Sequence, residues 1–268
     1  MTMKRVTVRT LREKKNKGEK IAMLTATDFS WAKIIDGAGI DVVLVGDSLA
    51  QVSLGHDTTL PVTMDEMLLF VRAVTRGVER ALVIADMPFL SFQVDASEAR
   101  RNAGRFLKEG GAAGVKIEGG IEVAERVADI VSMGVPVMGH VGLTPQSVHA
   151  FGGYRVQGKD PGRAKEILEG ARALEEAGVF AVVLEGVPAS LAREVTAALS
   201  VPTIGIGAGP ECDGQVLVLH DLLGIYREFT PKFVKRYADL GAEAEKAVRE
   251  FCSEVRGGKF PDEEYSFN

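Results

Sequence analysis

The sequence predicts a single (β/α)8 barrel, an α/β fold of the TIM type, from three observations. Short apolar runs rich in β-branched residues alternate with stretches of helical period, and eight such runs occur along the chain. Most gaps between them hold a helix, which leaves little room for hairpins and selects a parallel sheet. The runs also end alike. DVVLVGD delivers Asp47, VIAD Asp86, VKIE Glu118, VMGH His140 and VVLE Glu185. In a parallel sheet these ends share one face, where α/β folds bind ligands. Finally, 268 residues without a dividing linker suit one barrel, and no GxGxxG after the first run and no Walker A motif point to a nucleotide fold.

The elements follow in order. Residues 4–18 set Val6, Val8 and Leu11 among Lys and Arg, and read either as a helix or arm closing the bottom of the barrel or as a solvated basic face. IAMLTATD (21–28) is the first strand and FSWAKIIDGAG (29–39) the first helix, stopped by Gly37 or Gly39. The run Val42–Val45 is the second strand. The segment LAQVSLGHDTTLPV after it is a long loop of low charge and reads as a lid. Thr63 and Glu66 form a capping box, and Met64, Met67, Leu68, Val71, Val74 and Val78 follow at helical spacing as core. ALVIADMPF (81–89) is the third strand, ended by Pro88, and a helix spans about 97–109. VKIE is the fourth strand. The helix after it places Ile121, Ala124, Ala128 and Val131 on one face. VPVMGHVGLTPQ (135–146) holds the fifth strand and opens a loop whose Gly152, Gly153 and Gly158 make it mobile or tightly turned. The helix 161–178 begins at Pro161 and stops at Gly178. The sixth strand lies in 179–188, the seventh in 201–215, and the eighth at 216–224, VLVLHDLLG. FVKRYADL and AEAEKAVREFCSEVR are terminal helices, and GGKFPDEEYSFN is an exposed tail.

Composition narrows the function. Hydrophobic content of 46% and charged content of 26% are ordinary for a soluble enzyme, and a net charge of −5 offers nothing to nucleic acid. No apolar run has the length of a membrane helix, and the basic N-terminus lacks the apolar core of a signal peptide. Two distant cysteines, Cys212 and Cys252, fit a reducing compartment, and the expected location is cytoplasmic.

A carboxylate at the end of a buried strand is costly unless it is paired or holds a cation. Asp47, Asp86 and Glu118 together are an oxygen-only donor set, suited to a hard cation and above all to Mg2+. Such an ion would chelate a 2-oxo acid as a Lewis acid. The competing account of each acid is an ion pair with a nearby Lys or Arg. Lys116 precedes Glu118 by two residues, so both side chains point into the barrel, where Lys116 is either a counter-ion or a stabiliser of developing negative charge. Glu185 ends the sixth strand, across the barrel, as a general-base candidate. His140 reads first as a hydrogen-bonded structural residue and second as an accessory group. Cys212 has no convincing base beside it and is not a nucleophile candidate.

Several long motifs in order carry a resemblance: MLTATD (23–28), VGDSLAQVSLGHDTTLPVTMDEM (45–67), ADMPF (85–89), GGAAGVKIEGG (110–120), MGHVGLTPQSVHAFGGYRVQG (138–158), VLEGVP (183–188) and TIGIGAGPECDGQVLVLHD (203–221). On these the chain resembles the ketopantoate hydroxymethyltransferase family over nearly its whole length. The resemblance implies a barrel of the phosphoenolpyruvate-binding superfamily type. It implies transfer of a hydroxymethyl group from 5,10-methylenetetrahydrofolate to 3-methyl-2-oxobutanoate through a Mg2+-stabilised enolate, giving 2-dehydropantoate for pantothenate and coenzyme A. It places the metal on Asp47, Asp86 and Glu118, substrate contacts on Asp47, Ser48, Asp86 and Lys116, and the proton acceptor on Glu185. It also implies a homo-oligomer, a decamer of five-membered rings. The alternative activity is that of a Mg2+-dependent lyase or mutase of a 2-oxo acid on the same barrel, without folate.

Overall fold

A computed structural model describes residues 5–267. The first four residues of the basic N-terminal stretch and Asn268 at the end of the expected tail lie outside the described residues. Contacts divide the chain into two compact units, a barrel ending at Val218 and a second unit beginning at Leu219.

Eight parallel strands close the barrel in sequence order: β1 (Ile21–Thr25), β2 (Val42–Val45), β3 (Leu82–Asp86), β4 (Gly114–Glu118), β5 (Val137–Gly142), β6 (Ala181–Glu185), β7 (Thr203–Ile206) and β8 (Gly214–Leu217). Strands two to five are buried at every position. This is why they read as continuous apolar runs rather than as alternation. The pairing steps upward around the barrel: Asp86 lies opposite Lys116, Glu118 opposite His140, and Gly142 opposite Glu185. That register brings the strand-end groups to one mouth.

The other mouth is closed by the N-terminal segment. The helix Val8–Lys17 is capped by Thr7, whose side chain accepts from the Thr10 amide while Thr10 returns a bond to the Thr7 amide. Val6 and Leu11 are buried in one cluster with Ile21, Met23, Val42 and Leu82. Lys14 pairs with Asp41 and Lys15 with Asp213, each at 2.8 Å, and both acids immediately precede a strand. Of the two readings of this stretch, the closing helix holds, with its outer residues solvated.

The capping box of Thr63 and Glu66 starts the helix Met64–Gly77, and Pro161 opens Pro161–Glu176, as the residues predict. The loop after β2 differs from expectation: it begins with a helical turn, Leu49–Val52, and Thr59 and Val62 within it are buried. The loop after β5 likewise holds a 3-10 turn, Pro145–Ser147, and a helical turn, Val148–Phe151, and its three glycines sit in tight turns at positive φ.

Three assignments need correction. In the helix Ile121–Ser132 the buried face is Val123, Val127 and Ile130, while Ile121 is 58% exposed. The helix carries apolar residues on both stripes, so period alone could not choose. The close approach of Gly120 and Gly170, where an added β-carbon would stand about 3.0–3.1 Å from the opposite Cα, sets the crossing with the helix Pro161–Glu176. The eighth strand is Gly214–Leu217, not 216–224. Gly214 pairs with Ile204 on one side and Ile21 on the other, and a side chain there would collide with the Ile21 carbonyl, so the glycine sets where the barrel closes. The apolar run simply continues past the strand into the helical turn Leu219–Leu222.

In the second unit FVKRYADL is not a helix. Its backbone donors go elsewhere: Tyr237 N–H to Leu222 and Leu240 N–H to Leu223. One long helix follows, Leu240–Arg256, and the tail folds back so that Phe260 meets Phe251 and Tyr265 at ring distances of 5.6 and 5.8 Å. Among the described residues no helix is long and apolar enough to cross a membrane.

Candidate active site

Asp47 stands two residues beyond β2, carried by Gly46. A β-carbon at Gly46 would lie 3.2 Å from Ser48 Oγ and 3.4 Å from Asp86 Oδ2, so the glycine leaves room for both. The Asp47 amide donates to Asp86 Oδ2 at 3.0 Å. Lys116 Nζ lies 2.8 Å from Asp86 Oδ1, 3.7 Å from Glu118 Oε1 and 3.0 Å from His140 Nδ1. On the far side of His140, Nε2 is 3.2 Å from Glu185 Oε2. The barrel thus gathers Asp47, Asp86, Lys116, Glu118, His140 and Glu185 at one mouth, with Ser48 alongside. Glu185 is the open member, its side chain 16% exposed against 4% for Glu118. Gly142 makes this possible. It holds φ 99, a side chain there would strike the Glu185 carbonyl, and the next amide, Leu143, donates to that carbonyl at 2.8 Å.

The electrostatics are those of crowded acids around one ammonium. Burial pushes the Asp47 pKa well up, and the charges of Asp86 and Glu118 push it further. Asp86 is also raised, chiefly by burial, although Lys116 opposes it. Burial works against the charge of Glu118 too, but His140 and Lys116 outweigh it and hold its pKa below the usual value. Lys116 is raised: burial would lower it, and the three carboxylates overcome that. At His140, burial and the Lys116 charge disfavour the imidazolium, while Glu118 and Glu185 favour it and draw the pKa up to about 9. The ring thus stands between the Lys116 ammonium, 3.0 Å from Nδ1, and two carboxylates, Glu118 at 3.4 Å from Nδ1 and Glu185 at 3.2 Å from Nε2.

Two groups in the site were not evident from sequence. Gln146 is buried in the 3-10 turn after β5 and touches both Asp47 and Glu118. Its only sequence signal is its place six residues beyond His140 in the same strand-end loop. Tyr154, in the glycine turn, feels the site as well. Burial first, then the charges of Asp47, Glu185 and Glu118, push its pKa up, against a hydrogen bond with Gln51 of the loop after β2.

The donor chemistry fits a hard cation. All three acids are oxygen donors, their mutual repulsion is relieved by positive charge, and Glu118 Oε1 is buried with no hydrogen-bond donor among the described residues. As the side chains stand, no three His, Cys, Asp or Glu groups among the described residues converge on one ion position. The Lys116 ammonium lies among the acids instead.

Comparison with known proteins places the chain. The family described as ketopantoate hydroxymethyltransferase matches residues 5–263. The 3-methyl-2-oxobutanoate hydroxymethyltransferase of Carboxydothermus hydrogenoformans is 58% identical over 265 residues, covering 99% of this chain and 96% of that protein. That of Syntrophotalea carbinolica is 57% identical, covering 99% of each. Among solved structures, phosphonopyruvate hydrolase in complex with oxalate and Mg2+ superposes with a TM-score of 0.64 at 16% identity, covering 98% of this chain and 92% of that one. A 2,3-dimethylmalate lyase of the PEP mutase/isocitrate lyase superfamily gives 0.61 at 18%, covering 97% and 91%. These two likenesses concern fold. The family match and the identities extend over almost every residue of both units, and on them the chain belongs to the ketopantoate hydroxymethyltransferase family.

Proposed function

We propose that the chain transfers a hydroxymethyl group from 5,10-methylenetetrahydrofolate to 3-methyl-2-oxobutanoate, giving 2-dehydropantoate in pantothenate biosynthesis. Beside family membership, one observation carries this reading. A partly exposed carboxylate, Glu185, stands across the barrel mouth from a buried group of acids around an ammonium. A proton acceptor facing a cationic pole is what abstraction next to a carbonyl needs.

Asp47, Asp86 and Glu118 would hold the Mg2+ ion through the oxygen donors this hard cation takes. When bound, Mg2+ supplies Lewis acidity to the carboxylate and keto oxygens of the oxo acid. Asp47, Ser48, Asp86 and Lys116 orient the substrate. Glu185 takes the C3 proton, and its neighbour His140, with Nε2 3.2 Å from Oε2, holds the carboxylate oriented. Lys116 keeps positive charge near the oxygen on which negative charge develops. The C3 carbanion equivalent then bonds to the methylene carbon of the folate; that carbon's two bonds to nitrogen break, one water supplies the hydroxyl oxygen, and tetrahydrofolate leaves with the C3 proton and the second water proton on its nitrogens. The loop after β2 would act as a lid against bulk water. One barrel domain spanning 1–268 with a C-terminal helical extension, a decameric assembly and a cytoplasmic location belong to the same reading.

Proton exchange at C3 of 3-methyl-2-oxobutanoate in D2O, followed by NMR without folate, tests the reading. Exchange that requires both Mg2+ and Glu185 is expected. Absence of exchange both with and without tetrahydrofolate would overturn it.

A further inference from the structure

We infer that Gln146 is a positioning residue for this reaction: it ties one oxygen of Asp47 and one of Glu118, and so sets which oxygens of the two acids remain for ligand. The inference rests on the reading of those acids as the cation and substrate holders.

The geometry is specific. Gln146 Nε2 donates to Asp47 Oδ2 at 3.0 Å and to the Met87 carbonyl at 2.9 Å, so both amide hydrogens are used. Its Oε1 accepts from Gln93 Nε2 at 3.3 Å. The opposite orientation of the amide would set Oε1 against a carboxylate and a carbonyl, so the orientation is fixed. The backbone amide of the same residue donates to Glu118 Oε2 at 3.0 Å. One residue therefore anchors two acids from different strands, Asp47 through its side chain and Glu118 through its main chain. Glu118 Oε1, the oxygen left over, is buried without a donor among the described residues.

The residue's own frame is rigid. It lies in the turn Pro145–Ser147, with φ locked at Pro145 and the Ser147 amide donating to the Thr144 carbonyl at 2.8 Å. The Met87 carbonyl ties the turn to the loop after β3, and Gln93 of that loop orients the amide. Three strand ends are thereby held in one relation.

The division of labour makes the inference testable. A side-chain substitution releases Asp47 and leaves the Glu118 tie intact. Gln146→Met keeps the volume and removes both donors. Gln93→Ala, at an exposed position, only loosens the amide.

The measurement is calorimetric titration of Mg2+ into the full-length protein with 3-methyl-2-oxobutanoate present, with thermal melts as a fold control. Gln146→Met should bind Mg2+ about 10–100-fold more weakly, the usual effect of losing a group that orients a metal ligand. Gln93→Ala should bind about 2–10-fold more weakly at an unchanged melting temperature. In steady state the KM for Mg2+ should rise more than kcat falls, which loss of packing alone would not produce. Folded Gln146→Met with wild-type affinity overturns the inference. If Gln146→Met does not fold, Gln93→Ala with wild-type affinity overturns it. A wild-type protein that binds no Mg2+ and no oxo acid overturns the reading of the site, and the inference with it.

Discussion

Lys116 and Asp86 face each other across adjacent strands, with Nζ 2.8 Å from Oδ1 and both side chains nearly inaccessible to solvent. The pair is the pivot of the site, because the same ammonium also faces Glu118 and His140. Breaking a buried pair from one side strands the other charge. Lys116→Met should therefore destabilise the protein by about 3–5 kcal/mol at neutral pH, read by urea unfolding. A loss under 1 kcal/mol would show that the acids rearrange freely.

On the proposed function, Glu185 has a separable role. Glu185→Gln should leave Mg2+ and oxo-acid binding near wild type and reduce C3 exchange by about 10²–10⁴-fold, the range for a lost general base. Exchange at the wild-type rate would remove Glu185 from the chemistry.

Asp86→Ala acts on binding instead. It removes an oxygen donor and the partner of Lys116 together, so Mg2+-dependent binding of 3-methyl-2-oxobutanoate should weaken by at least ~10-fold in a calorimetric titration. An unchanged isotherm would take Asp86 out of the site.

The closing helix at the barrel bottom carries its own prediction. Leu11 is fully buried among strand residues. Leu11→Ala should cost about 2–5 kcal/mol, measured by chemical denaturation, while the kinetic constants stay near wild type because the site lies at the other mouth.

The second unit has a pH signature. Burial pushes the Asp221 pKa up to about 6 from 3.8, against the opposing charge of Arg236. The folded state thus holds this proton more tightly than the unfolded chain, and the contribution present below about pH 4 is lost as pH rises through 6. After allowance for the partial exposure of the group, Asp221→Asn should stabilise the protein by ~1–2 kcal/mol above pH 7 and change little below pH 4. Melts across pH that run parallel for the two proteins would contradict this.

Much of the barrel was legible because its strands are short, buried on both faces and punctuated by glycine and proline, and because its helices carry caps such as Thr63 with Glu66 and stops such as Gly178. Where two readings share one pattern, legibility failed. The helix Ile121–Ser132 is apolar on two stripes, and the run after Gly214 passes from strand to helical turn without a change of character. In FVKRYADL the apolar spacing is helical, but the backbone donors bond to Leu222 and Leu223, a long-range choice that no local pattern records.

The site divides in the same way. Carboxylates at strand ends are a one-dimensional fact, and their types and order single out Asp47, Asp86, Glu118 and Glu185, which the closed barrel brings to one mouth. Which of them touch depends on barrel closure and strand stagger, which place Asp86 opposite Lys116 and Glu118 opposite His140. Gln146 shows the limit most clearly. An uncharged amide in a loop carries no signal of its own, and its importance arises only when closure sets its two faces against acids 99 and 28 residues away. Local chemistry is written residue by residue, whereas coordination between residues is a property of the closed sheet.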